Sequence, residues 1–108
     1  MTRDAIRGSS DRGILILTSL VGSPKHGYAL IKDIEDFAGV KLGAGTLYGA
    51  LAKLESDGLV VTQETGDGRR RPYEITAAGR DHLRTRLTEA RRIAELGLRR
   101  IAALEAWA

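Results

Sequence analysis

The chain has 108 residues, 43% of them hydrophobic, with 17 Lys and Arg against 14 Asp and Glu, a net charge of +3 and no cysteine. That is enough for one domain with one core and too little for two. The missing cysteines exclude a disulfide framework and a thiolate metal site, and no apolar run approaches the roughly 20 residues that span a bilayer. The start, MTRDAIRGSSDRG, lacks the apolar centre of a signal peptide, so a cytoplasmic protein with no membrane partner is expected. Charge distribution says more than net charge. From Lys25 to Glu64 four bases face six acids, whereas from Arg69 onward ten arginines face five acids.

In chain order, residues 1–10 mix charge with Gly and Ser and predict a flexible arm, with Asp11 as the cap of the first helix. Ile14, Leu15, Leu17, Thr18 and Val21 make that helix apolar around much of its circumference, and Gly22-Ser23-Pro24 ends it. From about His26, Tyr28, Leu30, Ile31, Ile34 and Phe37 recur at helical spacing opposite Lys32, Asp33, Glu35 and Asp36, until Gly39 stops the run. Tyr28 is read here as a core aromatic, as is Tyr73 further on.

A third helix is expected from about Ala44, with Leu47, Ala50, Leu51 and Leu54 buried and Gly58 as its left-handed stop. Thr46, Tyr48, Gly49, Ala52, Lys53 and Ser56 fall on its opposite face. Gly45 and Gly49 each cost a helix interior about 1 kcal/mol relative to Ala, which a close backbone approach to a partner would offset. Residues 59–63 and 71–76 read as two antiparallel strands around a turn at Gly66, Asp67 and Gly68. Arg69, Arg70 and Arg71 crowd the hairpin tip, and Pro72, which has no amide to donate, belongs on an edge.

A long helix follows, from about Ala78 to Trp107. Leu83, Leu87, Ala90, Ala94, Gly97, Ile101 and Leu104 keep a 4-3-4-3 spacing, a coiled-coil seam that needs a second surface, and a homodimer supplies one. The fold class expected is mainly α with a small β-hairpin: a winged helix-turn-helix plus a C-terminal dimerisation helix. Its divisions are an arm at 1–10, the winged domain at 11–77 and the dimerisation helix at 78–108. A helix and a cationic hairpin on one side of a small domain can grip a DNA duplex together.

The ordered motifs HGY at His26 to Tyr28, GTLY at Gly45 to Tyr48, LAKLESDGL at Leu51 to Leu59, RRRPYEIT at Arg69 to Thr76 and AGR at Ala78 to Arg80 resemble those of the PadR-type transcriptional regulators over about residues 12–85. The resemblance implies a winged-helix fold, a homodimer through the last helix and repression at an inverted-repeat operator. The single last helix is similar to the family's small subgroup. Two positions depart from the pattern. Gly49 stands where the family usually has proline, which loosens the recognition helix, and Pro72 replaces a polar or basic residue, which restricts the wing's outgoing strand. The resemblance further suggests a planar aromatic effector between the last helices, for which Trp107, the one tryptophan, is the contact available.

The expected partner is double-stranded DNA, held at phosphates by Lys25, Lys53, Arg69, Arg70 and Arg71 and met by Thr46, Tyr48 and Gly49. Few of these side chains form bidentate base contacts, so DNA shape and half-site spacing are expected to carry much of the specificity. His26 and His82 lie far apart with no ligand spacing, and there is no nucleophile motif, so no cofactor, metal or enzymatic activity is expected. Two other readings of the same residues stand beside this one. One is a protein-interaction module working through the acidic second helix and the apolar last one, and the weaker is an RNA-binding winged helix.

Overall fold

The computed structural model describes residues 9–62 and 71–107. The greater part of the expected arm, the turn at Gly66, Asp67 and Gly68, and Arg69 and Arg70 fall outside those residues. Among the described residues four helices and a hairpin follow one another as α1 (Ser9–Gly22), α2 (Gly27–Ala38), α3 (Ala44–Ser56), β1 (Val60–Thr62), β2 (Tyr73–Ile75) and α4 (Ala77–Ala106). The first helix begins at Ser9, so Asp11 lies within it and is not its cap.

α1 is the central element and packs against α2, α3, α4 and β2. Its buried stripe is Ile16, Leu17 and Leu20, with Ile14 and Leu15 only partly covered. Val21, expected inside, is 55% exposed because it lies near the end of α1 beside Leu83 and Leu87 of α4, in an open groove that leaves it only partly covered. On α2, Leu30 and Ile34 reach the core, while Tyr28 at 79% and Phe37 at 46% are exposed, which overturns the reading of Tyr28 as a core aromatic. Gly39 ends α2 at φ 69°, its amide donating to the Glu35 carbonyl.

α3 buries Leu47, Leu51 and Leu54. It closes with paired backbone bonds, Gly58 N–H to the Glu55 carbonyl at 3.0 Å and Leu59 N–H to the Leu54 carbonyl at 2.9 Å, with Gly58 at φ 78°. That turn delivers the chain directly into β1. β1 and β2 pair antiparallel in the register Val60–Ile75, Val61–Glu74 and Thr62–Tyr73, and Val60 and Ile75 enter the core. Pro72 precedes the paired segment, as its missing amide requires.

A third short strand contact, not foreseen, joins Lys25 to the other edge of Tyr73 through backbone bonds of 3.1 and 2.8 Å. The Lys25 side chain is drawn inward as well. Its ammonium donates to the Ser19 carbonyl and stands 4.0 Å from Asp33, whose carboxylate accepts the buried Ser19 hydroxyl at 2.6 Å. With 17% of its side chain exposed, Lys25 ties α1, α2 and the wing together and is turned away from a phosphate grip.

α4 is capped by Thr76, whose hydroxyl accepts from the Gly79 amide at 2.9 Å and donates to the Gly58 carbonyl at 2.8 Å. Gly79 lies against the Leu59 carbonyl and would place a Cβ 2.7 Å from Ile75, so its lack of a side chain permits this junction. Leu83 is 4% exposed within the core. It therefore belongs to the winged domain and not to the seam, because the first two turns of α4 complete that domain. Beyond Leu87 the helix leaves it. Thirty residues of helix are about 45 Å long, and the molecule measures 64 Å against 26 and 24 Å.

Candidate nucleic-acid interface

The outer face of α3 forms because Leu47, Leu51 and Leu54 turn the opposite side inward. Thr46, Tyr48, Gly49, Ala52, Lys53 and Ser56 are all exposed, as the sequence predicts. Gly43 precedes the helix without a side-chain cap, which leaves first-turn amides open to solvent or an anion. A Cβ on Gly45 or Gly49 would meet nothing within 4 Å. Their smoothness matters only for what approaches from outside.

Tyr48 is half exposed, and the tip of its ring rests on Gly27 at the start of α2, where a Cβ would stand 2.7 Å from Cζ. This close approach fixes the direction of the Tyr48 hydroxyl, and the sequence carries its trace only as the glycine of HGY. Tyr28, the next residue, extends the exposed aromatic surface at the same helix start. Lys53 is 66% exposed and paired with Asp57, its ammonium donating at 2.9 and 3.1 Å. In the free chain that carboxylate competes for the charge, a partnership that the i,i+4 spacing allows and the sequence reading did not use.

Tyr73 shows that the wing and α3 share one electrostatic neighbourhood. Burial raises its phenol above the ordinary value, with Tyr48 and Glu55 pushing the same way and Arg71 opposing. Arg71 is exposed where the chain returns into β2. Arg69 and Arg70 precede it in sequence but lie outside the described residues. His26 Nδ1 is buried with no hydrogen-bond partner among the described residues, and no group of three metal-binding side chains occurs among them.

The expected seam residues divide. Leu83 is in the core, whereas Leu87 at 44%, Ile101 at 52% and Leu104 at 74% are exposed in the single chain. Ala90 and Ala94 are exposed and Gly97 is half-buried on the same helix. Trp107, at the C-terminal cap of α4, is 92% exposed. Among the described residues no helix is long and apolar enough to cross a membrane.

A family model, the transcriptional regulator PadR-like family, matches residues 16–85. The transcriptional regulator Rv3488 of Mycobacterium tuberculosis is 42% identical over 82 residues, which is 74% of this chain and 72% of the regulator. An uncharacterised 37.1 kDa protein of transposon TN4556 from Streptomyces fradiae is 47% identical over 75 residues, 69% of this chain, and the match spans only 21% of that longer protein. Among solved structures, a PadR family transcription regulator from Clostridium difficile R20291 matches with TM-score 0.69 and 31% identity over 78% of this chain and 91% of that one. With the winged helix and its outward α3 face already described, these matches identify a transcriptional regulator and not an enzyme: the chain belongs to the PadR-like family.

Proposed function

We propose that the chain acts as a homodimeric DNA-binding repressor on an inverted-repeat operator, with α3 in the major groove and the hairpin arginines on the adjacent backbone. The observation that carries this reading is the outer face of α3, a smooth strip of Gly45, Gly49 and Ala52 bordered by Thr46, Tyr48 and Lys53, all exposed. A strip without bulky side chains lets the helix approach base edges closely, and its flanking hydroxyls and ammonium suit phosphate oxygens. Lys25 is left out of this contact set because its ammonium is engaged inside the domain.

Dimerisation through α4 follows from the apolar residues that the domain leaves uncovered. Two domains on one duplex read two half-sites, and a dimer seated across a promoter represses by excluding the polymerase. Lys53, Arg69, Arg70 and Arg71 from both subunits give eight phosphate contacts and a slope of log affinity against log salt of about −7.

The test is fluorescence anisotropy with the promoter upstream of the chain's own gene against scrambled DNA, over a salt series. Tight, competitor-resistant binding of one dimer, with a slope about 2 units shallower for Arg71→Ala, supports the reading. Equal and weak binding to both duplexes, or a slope unmoved by Arg71→Ala, refutes it.

A further inference from the structure

The exposed strip of α3 has two flanks, and they are lined differently. Tyr48 and Glu55, seven residues apart, run along one, while Thr46 and Lys53, also seven apart, run along the other with Asp57 one turn further on. The wing lies on the first flank, where Tyr48, Glu55 and Arg71 all act on the Tyr73 phenol. The second flank faces the start of α1. Two open clefts meet there at Ile14. One, of about 860 Å³, lies between α1, the turn from α2 to α3 and Thr46; the other, of about 260 Å³, lies between α1, Lys53, Asp57 and the start of α4.

Because the clefts share Ile14, they form one continuous groove along the side of α3. Ile14, Leu15, Leu42 and Leu59 give it an apolar floor, and cations stand at its edge, Lys41 and Arg12 over the larger cleft and Lys53 and Arg86 over the smaller. Such a floor suits long basic side chains, whose hydrocarbon stems lie along it while the charged ends stay in water. All four are exposed. Lys53 is held by Asp57 at 2.9 Å, and Lys41 stands 3.8 Å from Glu35 with 83% of its side chain exposed. Among the described residues Arg12 and Arg86 have no ion-pair partner, so their charges are available without breaking a contact.

We infer that this cationic edge holds the backbone of one DNA strand on the side of α3 opposite the wing, with Arg12, Lys41 and Arg86 as phosphate contacts in addition to Lys53. The inference rests on the DNA-binding reading and extends its contact set to the second flank. A helix in the major groove has a sugar-phosphate backbone on each side, and Arg71 with the wing stands at only one of them. From Thr46 to Asp57 the groove follows α3 for 11 residue steps, or about 16 Å. That length suits several successive phosphates of a strand and is more than one small anion fills. Arg12 and Arg86 both lie outside residues 16–85, the stretch that the family model matches, one before it and one after it, and the fold brings them to the same groove. Three further cations per subunit add six contacts in a dimer, which steepens the slope of log affinity against log salt from about −7 to about −13.

The experiment titrates the full chain, Arg12→Ala, Arg86→Ala and their double variant with the promoter duplex by fluorescence anisotropy over a salt series. Arg92→Ala, an exposed arginine further along α4, controls for net charge, and thermal melting confirms that each variant is folded. Arg12→Ala and Arg86→Ala are each expected to make the slope about 2 units shallower, and the double variant about 4. Arg12→Lys, which keeps the charge, should retain the original slope, and Arg92→Ala should leave it unchanged. A slope unmoved by Arg12→Ala and Arg86→Ala, with Arg71→Ala still making it shallower, would overturn the inference and leave the DNA-binding reading standing. An equal loss in Arg92→Ala would also overturn it, since net charge alone would then account for the effect. A slope that none of these variants moves, Arg71→Ala included, would remove the DNA-binding reading along with the inference.

Discussion

Replacing Gly27 with Ala puts a methyl group where the tip of Tyr48 now rests. The new Cβ would stand 2.7 Å from Tyr48 Cζ, where ordinary contact begins at 3.4 Å. The ring end must therefore move by on the order of 1 Å. Tyr48 is 50% exposed, so the ring can swing into solvent without the helix backbone yielding. The stability change is accordingly small, within about 1 kcal/mol, with the better helix propensity of Ala offsetting part of the lost packing. The effect on DNA is expected to be larger. A hydroxyl bonded to a charged phosphate contributes about 1.5 kcal/mol or more, and a dimer places two of them, so affinity should fall by about a hundredfold or more. Anisotropy on operator DNA, paired with thermal melting, reads both quantities. Tyr48→Phe should lose a similar amount, and the double variant should lose little beyond either single one, because both act on one contact. Full affinity in a folded Gly27→Ala protein would refute the argument, as would a collapse of stability.

Other substitutions separate the roles assigned above. Asp57→Asn frees Lys53 and removes a negative charge near the duplex, so affinity should rise about two- to fivefold at low salt and the gain should fade as salt is added; melting should shift by no more than about 0.5 kcal/mol. Leu83→Ala should cost the domain about 2–5 kcal/mol in chemical denaturation, whereas Leu104→Ala should act on the concentration dependence of melting, as a core and an interface residue respectively. The Tyr73 phenol, raised by burial, gives stability that is intact below its ordinary value of 10.0 and lost as pH climbs through the higher folded value. Tyr73→Phe should flatten that alkaline loss in a pH series of denaturation curves.

Much of the architecture was legible because local signals agreed. In α3 the spacing of Leu47, Leu51 and Leu54 and the terminal Gly58 mark the same helix, and the structure reproduces it from Ala44 to Ser56. The misreadings share a cause, which is that periodicity reports a face without reporting what covers it. Leu83 continues the seam in sequence but is covered by its own domain, since a heptad pattern does not distinguish burial within a chain from burial between chains. Tyr28 continues the apolar spacing of α2 at its first turn, yet its ring points outward and is 79% exposed. Lys25 reads as a free cation because its ties to Tyr73, Ser19 and Asp33 cross between elements. Gly27 and Gly79 look like ordinary glycines until Tyr48 and the Leu59 carbonyl are seen against them.

The central claim is that the outer face of α3 and the wing meet DNA, and amide chemical-shift mapping of the full chain during titration with operator duplex tests it most directly. The expected result is a set of shifts concentrated at Thr46, Tyr48, Gly49, Ala52, Lys53 and Arg71, saturating at one dimer per duplex, with Glu35 and Asp36 on the acidic face of α2 unmoved. Shifts confined to α2 and the distal half of α4, with the α3 face silent, would contradict it.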